Sequence, residues 1–164
     1  MKIKSSWVFD CQPTDIYPHF FCAKMDDTYP LAFRLGIPKP LSCKVLEGTP
    51  KVGHTRQCTT DKGFIRQNIT ELEDNAKLVY QMKESNVWCR NWVSFLQDSF
   101  ILTVIANDKT QVTRITEFKG VTSIPILSTL ALWFSLKQAH RYASKNWRRL
   151  SAQTAHIRKF GKNP

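Results

Sequence analysis

The strongest constraint on the fold is a run of six strand-like segments joined by short turns, followed by one long helical segment. Residues 61–63, 73–75 and 107–109 contain Gly, Asn and Asp, which adopt the backbone conformations that tight hairpins require. Successive strands joined in this way pair as an antiparallel meander. The predicted strands are residues 42–47, 52–60, 64–72, 77–84, 92–106 and 110–119.

The N-terminal part of the chain predicts one more strand, a short helix and a loop. Residues 3–9 alternate in the two-residue period of a strand, with Ile3, Trp7 and Phe9 on one face. Pro13 and the polar residues beside it stop this strand and open a short helix. Residues 26–40 contain three prolines and a glycine, which indicates a loop or a broken helix.

The C-terminal segment predicts one long amphipathic helix. Its start lies between Ser123 and Ser128, and its apolar period continues to about Trp147. We expect Leu127, Leu130 and Phe134 to pack against the concave face of the sheet. A basic helical tail follows from about residue 150, and Gly161 terminates it.

These elements predict a single α+β domain over residues 1–164, of the helix-grip kind. A long meander buries one face, and the C-terminal helix is the only predicted element large enough to cover it. We therefore expect a curved antiparallel β-sheet wrapped around a long C-terminal α-helix. The space between a bent sheet and a helix is a common binding site for small molecules.

Charge and cysteine content bear on partners and location. The formal net charge of +11 attracts nucleic acid, an anionic membrane surface or an acidic partner. No specific nucleic-acid motif accompanies that charge, so RNA binding is the weaker alternative. The five cysteines show no C-x-x-C spacing, which favours free thiols, no metal site and a cytoplasmic location. No stretch reaches the roughly 20 apolar residues of a membrane span.

The order of these segments resembles the START / Bet v 1 / polyketide-cyclase-like (SRPBCC) superfamily over nearly the whole chain. Residues 7–10 and 13–17 are similar to the opening strand and first helix of that family. The later matches are Gly53, Gly63, residues 69–71, 78–80 and 110–114, and the Leu136-Lys137 pair. The resemblance implies a helix-grip fold and an internal cavity for lipids, sterols, polyketides, quinones or plant hormones. A minority of the family are cyclases, hydrolases or dehydratases, and no cofactor is implied.

Strand and helix periodicity predicts which side chains line such a cavity. We expect the protein to bind a hydrophobic or amphipathic small molecule of the lipid, polyketide or aromatic-acid type. Core packing is the alternative role for most of these side chains. The candidate ligand-binding residues are Trp7, Phe9, Arg66, Asn68, Tyr80, Phe100, Arg114, Phe118, Leu130 and Phe134.

Arg114 is the candidate for recognising a polar head group. It shares strand parity with Val112, Thr116 and Phe118, so it is predicted to point into an apolar interior. A buried guanidinium is costly unless it is paired or ligand-bound, and it suits a carboxylate or an enolate. The sequence-based hypothesis is an acidic or carbonyl head group on Arg114, with aromatic side chains around the body of the guest.

A cyclase- or hydrolase-like enzyme acting in the same cavity is the alternative function. It would need two or more polar groups, drawn from Arg66, Asn68, Arg114 and His140, to converge on the cavity wall. No catalytic motif is present, so the catalytic residues stay unassigned. The basic residues Arg141, Lys145, Arg148 and Arg149 predict a solvated helix stripe, with docking to an anionic membrane as the alternative.

Overall fold

The computed structural model describes residues 1–88, 90–121 and 126–161, except for the side chains of residues 126–128. Its main element is a curled eight-stranded antiparallel sheet with the strand order β1-β8-β7-β6-β5-β4-β3-β2. The long C-terminal helix lies against this sheet, which confirms the predicted helix-grip α+β fold. The strands are β1 Lys2–Phe9, β2 Ala23–Lys24, β3 Pro40–Val45, β4 Thr55–Thr60, β5 Gly63–Glu73, β6 Lys77–Ser85, β7 Val93–Ala106 and β8 Lys109–Gly120.

Three of the predicted hairpin turns are present and use residues suited to them. Gly63 has a φ of 138° at the β4–β5 turn, Asn75 has a φ of 59° between β5 and β6, and Asp108 has a φ of 53° between β7 and β8. Asn and Asp tolerate the left-handed region better than other residues with a side chain. These turns help to fix the register of the five strands β4 to β8, which carry most of the cavity wall.

The connection from β1 to β3 contains two short helices and the two-residue strand β2. Helix α1 covers Pro13–Ile16 and runs into a 3-10 turn at Tyr17–Phe20, and helix α2 covers Leu31–Arg34. Asp15 in α1 accepts a hydrogen bond from the backbone N–H of Gln12 at 2.9 Å. The proline-rich segment is therefore a broken helix with loops, as predicted.

Helix α3 covers Ile126–Phe160 and is longer than the apolar period predicted. Gly161 ends it with a φ of 66°, and its N–H donates to the carbonyl of Ile157 at 2.8 Å. Among the residues that the structure describes, no helix is both long enough and apolar enough to span a membrane.

The side of α3 that faces the sheet differs from the prediction. Leu130 and Phe134 are 55% and 47% exposed, so they do not pack against the concave face of the sheet. Leu132 and Leu136 pack there instead, beside Ile3 and Phe118. Two residues correspond to about 200° around a helix, so the two pairs lie on opposite sides. Leu127 lies outside the described side chains.

The packed core lies between the sheet and the middle of α3. Trp147 contacts the rings of Phe20 and Phe100, with ring centroids 5.0 and 5.5 Å away. Phe9 and Tyr80 are at most 1% exposed in the same cluster. These side chains fill one end of the space under the sheet.

The prediction of five free thiols is wrong for two of them. Cys43 and Cys58 form a disulfide between β3 and β4, where they are direct partners across the two strands. The cytoplasmic prediction relied on reduced thiols and loses that support, although the location itself stays a prediction. Of the remaining described cysteines, Cys11 is buried and Cys22 is exposed.

Candidate functional site

A cavity of about 180 Å³ lies between the concave sheet face and α3. Strands β3 to β8 supply one wall, and the inner side of α3 supplies the other. The segment before β3 and the β6–β7 connection close one end, where the lining residue Arg90 is exposed to solvent. Apolar side chains dominate the lining, among them Met25, Ile37, Met82, Val87, Leu96, Phe100, Leu132, Leu136 and Trp147.

Two of the ten predicted ligand-binding residues line this cavity, Phe100 and Arg114. Phe9, Tyr80 and Phe118 face inward as their strand parity predicted, but they are packed into the core. The hydroxyl of Tyr80, for example, donates to the carbonyl of Phe20 at 2.9 Å. Trp7 is half-buried and contacts the His140 ring edge-on at 6.2 Å.

Arg66 and Asn68 lie on the face of β5 that points away from the cavity. Their neighbours Ile65 and Gln67 line the cavity instead, so the parity assigned to this strand was wrong by one residue. Arg66 forms a partly exposed ion pair with Glu84 at 2.9 Å. Because successive strand side chains alternate between faces, a shift of one residue exchanges the whole inward set.

The most polar part of the wall is an ion pair between Asp98 and Arg114. The Nε of Arg114 donates to Oδ1 of Asp98 at 3.0 Å, and its Nη2 donates to Oδ2 at 2.9 Å. The Asp98 side chain is 6% exposed and the Arg114 side chain 12%. Burial raises the pKa of Asp98, but the opposing charge of Arg114 outweighs it and lowers the pKa to about 2. The pair is therefore ionised at neutral pH.

A chain of hydrogen bonds leads from this pair, between the sheet and α3, to Lys137. Thr116 donates to Asp98 and bonds to Nε2 of His140 at 2.7 Å, and Nδ1 of His140 bonds to the Ser5 hydroxyl at 3.0 Å. Lys137 donates to Ser5 at 3.4 Å. A single direction of donation fits all of these bonds, with a neutral His140 that donates from Nε2 and accepts at Nδ1.

Burial and the nearby charge of Arg114 lower the pKa of His140 to about 3, which agrees with its neutral form. The residue is completely buried. Because both ring nitrogens are occupied by Thr116 and Ser5, His140 has no free nitrogen to act on a molecule in the cavity. Arg114 and His140 thus belong to one network, whereas the other two residues of the catalytic alternative lie on the far face of β5.

Sequence reasoning missed two polar residues of the wall that strand parity could have found. Asp98 is two residues from Phe100, which was correctly predicted to face inward. Arg56 shares a face of β4 with Cys58 and Thr60, and all three line the cavity. Neither was proposed because charged residues are assigned to the solvent side by default.

Arg56 is 7% exposed and lies over the ring of Tyr80, with its guanidinium carbon 4.7 Å from the ring centroid. Its Nη1 donates to Oε1 of Gln67 at 2.7 Å. The cavity wall therefore carries a second buried guanidinium, hydrogen-bonded to a neutral amide.

The chain has the fold of the SRPBCC superfamily, as the resemblance in sequence implied. Solved structures similar to it include the Zhui aromatase/cyclase from Streptomyces sp. R1128, at a TM-score of 0.67 and 9% identity over 100% of this chain and 99% of that one. A START superfamily protein from Mycobacterium smegmatis aligns at a TM-score of 0.64 and 9% identity, covering 92% and 97%. Ara h 8.0201 aligns at 0.65 and 12% identity, covering 93% and 97%.

No protein-family model and no curated protein sequence matches the chain. Since the structural neighbours share so little sequence, they establish the fold and leave the ligand to be argued from this cavity. Within the described residues, no group of three or more His, Cys, Asp or Glu side chains is arranged to hold a metal ion.

Proposed function

We propose that the protein binds a hydrophobic or amphipathic small molecule in the cavity between the sheet and α3. The observation that carries this proposal is an apolar cavity of about 180 Å³ beside a densely packed aromatic core. Protein interiors are close-packed and contain few voids larger than a water molecule. A cavity of this size costs stability unless a guest fills it, which makes storage or carriage of a ligand the best account of the space.

The dimensions favour a small guest or the end of a longer one. A cavity of about 150 Å³ is sufficient for a benzene molecule in a protein interior. The space here is slightly larger, so it suits one aromatic ring with a short substituent, or part of an alkyl chain whose remainder leaves past Arg90.

Binding without chemistry is the better-supported role. An acid–base enzyme needs a titratable group within hydrogen-bond reach of the substrate. His140 is completely buried, and both of its ring nitrogens are occupied. The carboxylate of Asp98 is held by Arg114 and Thr116. Neither group is arranged to exchange a proton with a guest, which supports a binding protein over a cyclase or hydrolase.

The test is titration of neutral single-ring aromatics and medium-chain alcohols into the purified protein, followed by tryptophan fluorescence and calorimetry. We expect saturable binding with a change in fluorescence, because Trp147 lines the cavity. Ala139→Phe, which adds a ring to the cavity wall of α3, should abolish binding while the protein stays folded. Ala131→Phe is the matched control, since Ala131 is exposed on the same helix. Undiminished binding by Ala139→Phe would place the ligand elsewhere and contradict the proposal.

A further inference from the structure

The buried hydrogen-bond donors of the cavity wall are incompletely satisfied. Among the described side chains, two buried polar atoms have no hydrogen-bond partner: Nε of Arg56 and Nε1 of Trp147. Both residues line the cavity, and both atoms are N–H donors. Buried donors are nearly always paired, so two unpaired donors on residues of one cavity wall favour an acceptor from outside the chain.

The charges on the cavity wall also favour an acceptor from outside the chain. Asp98 is the one acidic residue of the described lining, and Arg114 neutralises it through two hydrogen bonds. Arg56 forms no ion pair with any described carboxylate, and its Nη1 donates to the neutral amide of Gln67. Arg90 is exposed to solvent. The interior of the cavity therefore carries one uncompensated positive charge, on Arg56.

A buried cation without a counter-ion is among the more costly features that a protein can retain. The ring of Tyr80 beneath the guanidinium offsets part of this cost, as aromatic faces attract cations. The remaining hydrogen-bonding capacity of Arg56 stays unused. A planar guanidinium matches the geometry of a carboxylate, and one charge balances one carboxylate rather than a phosphate dianion.

We propose that Arg56, oriented by Gln67, is a subsite for the carboxylate head group of a monoanionic guest, with the apolar body of the guest against Phe100 and Trp147. This inference rests on the proposed binding function. It also replaces Arg114 as the residue that recognises the head group, because Arg114 is already held by Asp98. The subsite takes small aromatic or aliphatic carboxylic acids.

The experiment compares two probes of nearly the same shape, 3-phenylpropanoate and 3-phenylpropanamide, by calorimetry at neutral pH. The wild-type protein should bind the carboxylate about ten- to a hundredfold more tightly than the amide, as expected for a charge-assisted hydrogen bond. Arg56→Met keeps the approximate length of the side chain and should remove this preference while amide binding stays unchanged. Arg56→Lys keeps the positive charge without the planar guanidinium, so it should retain part of the preference for the carboxylate.

Arg66→Met is the matched control, since Arg66 lies on the neighbouring strand and faces away from the cavity. It should leave the affinity for both probes unchanged. Equal wild-type affinity for the carboxylate and the amide would overturn the Arg56 subsite while the proposed binding function stands. Binding of neither probe would overturn both.

Thermal unfolding without ligand gives a second measurement. If Arg56 is retained for a guest, Arg56→Met removes an uncompensated charge and should unfold at the same temperature as the wild type or a higher one. A clear fall in the unfolding temperature would show that Arg56 stabilises the fold itself, and it would overturn the subsite.

Discussion

At the scale of single residues, the two buried arginines of the cavity have opposite electrostatic surroundings. Arg114 compensates Asp98, and its guanidinium also lies 5.3 Å from the ring centroid of Phe100. Arg56 has a ring and an amide for partners but no carboxylate. The two arginines therefore have different roles on one cavity wall. Arg114 stabilises the folded chain, whereas the proposed role of Arg56 is to bind the carboxylate of a guest.

This difference predicts opposite effects on stability. Arg114→Met leaves the carboxylate of Asp98 buried without its cation, and breaking a buried pair in this way costs roughly 3–5 kcal/mol. Arg56→Met should cost little or nothing. Chemical denaturation of both variants measures the two changes. A double variant of Arg114→Met with Asp98→Asn should recover part of the loss, because it leaves no buried charge unpaired. Similar losses for the two single variants would contradict this assignment.

The lowered pKa of His140 predicts how the stability of the fold depends on pH. Its pKa is lowered from 6.5 to about 3 in the folded protein, so the unfolded chain binds the proton more readily. The stability that the neutral imidazole provides is complete above pH 6.5 and is lost as the pH falls towards 3. Its surroundings include Arg114 and Lys137, which oppose protonation, and Asp98, which favours it.

We expect the free energy of unfolding of the wild type to fall between pH 6.5 and 4. His140→Gln keeps hydrogen-bonding capacity without a titrating ring and should flatten this part of the curve. Denaturation at a series of pH values measures the slope. His156→Gln is the control for a histidine substitution on the same helix. If both variants keep the wild-type slope, His140 does not control it.

At the scale of elements, helix α3 has apolar residues on two faces, and the sequence did not distinguish them. Leu130, Trp133 and Phe134 are bulky but at least 39% exposed, whereas the small residues Ala139 and Ala143 line the cavity. Bulky residues lie on both faces, since Leu132, Leu136 and Trp147 also line the cavity. A stripe of bulky residues alone therefore does not indicate which face meets the sheet.

Substitutions on the two faces of α3 should have clearly different effects on the free energy of unfolding. Trp147→Ala removes a side chain that is 2% exposed, and it should destabilise the protein by roughly 3–5 kcal/mol. Phe134→Ser replaces a side chain that is 47% exposed, and it should change stability by no more than about 0.5 kcal/mol. Urea denaturation of each variant gives both values. A large loss for Phe134→Ser would restore the orientation predicted from sequence.

The strands show what sequence could and could not determine. The meander from β3 to β8, its hairpin turns and the inward faces of β1 and β8 followed from local patterns, because a period of two and a turn residue are local properties. The inward face of β5 did not, because Arg66 and Gln67 are both polar and their alternation does not indicate which one faces the core. The Cys43–Cys58 bond depends on the pairing of β3 with β4, which cysteine spacing alone does not reveal.

At the scale of the whole molecule, the protein has a net charge of +11, but several of its basic residues form ion pairs within the chain. Arg158 is paired with Asp15 and Asp108, and Lys159 is paired with Asp108. Arg149 donates to the carbonyl of Lys24 at 3.1 Å. The tail of α3 is thus fastened to α1 and to the β7–β8 turn by its own basic residues, which have partners within the chain.

The exposed stripe of α3 carries part of the excess positive charge, and it predicts how the protein interacts with anionic surfaces. Arg141, Lys145, Arg148 and Arg149 are all exposed, as the helical spacing predicted. We expect weak binding to vesicles containing phosphatidylserine at low ionic strength, because each basic residue near such a surface contributes about 1 kcal/mol. That binding should fall steeply as salt shortens the Debye length from about 30 Å at 0.01 M to about 10 Å at 0.1 M. Co-sedimentation with vesicles over a salt series measures it.

The double variant Arg141→Ala with Lys145→Ala should weaken the binding to anionic vesicles. Lys44→Ala with Lys83→Ala removes the same charge from strands of the sheet and is the control. Equal binding to neutral and anionic vesicles, or an equal effect of both double variants, would mean that the stripe is only a solvated surface of the helix.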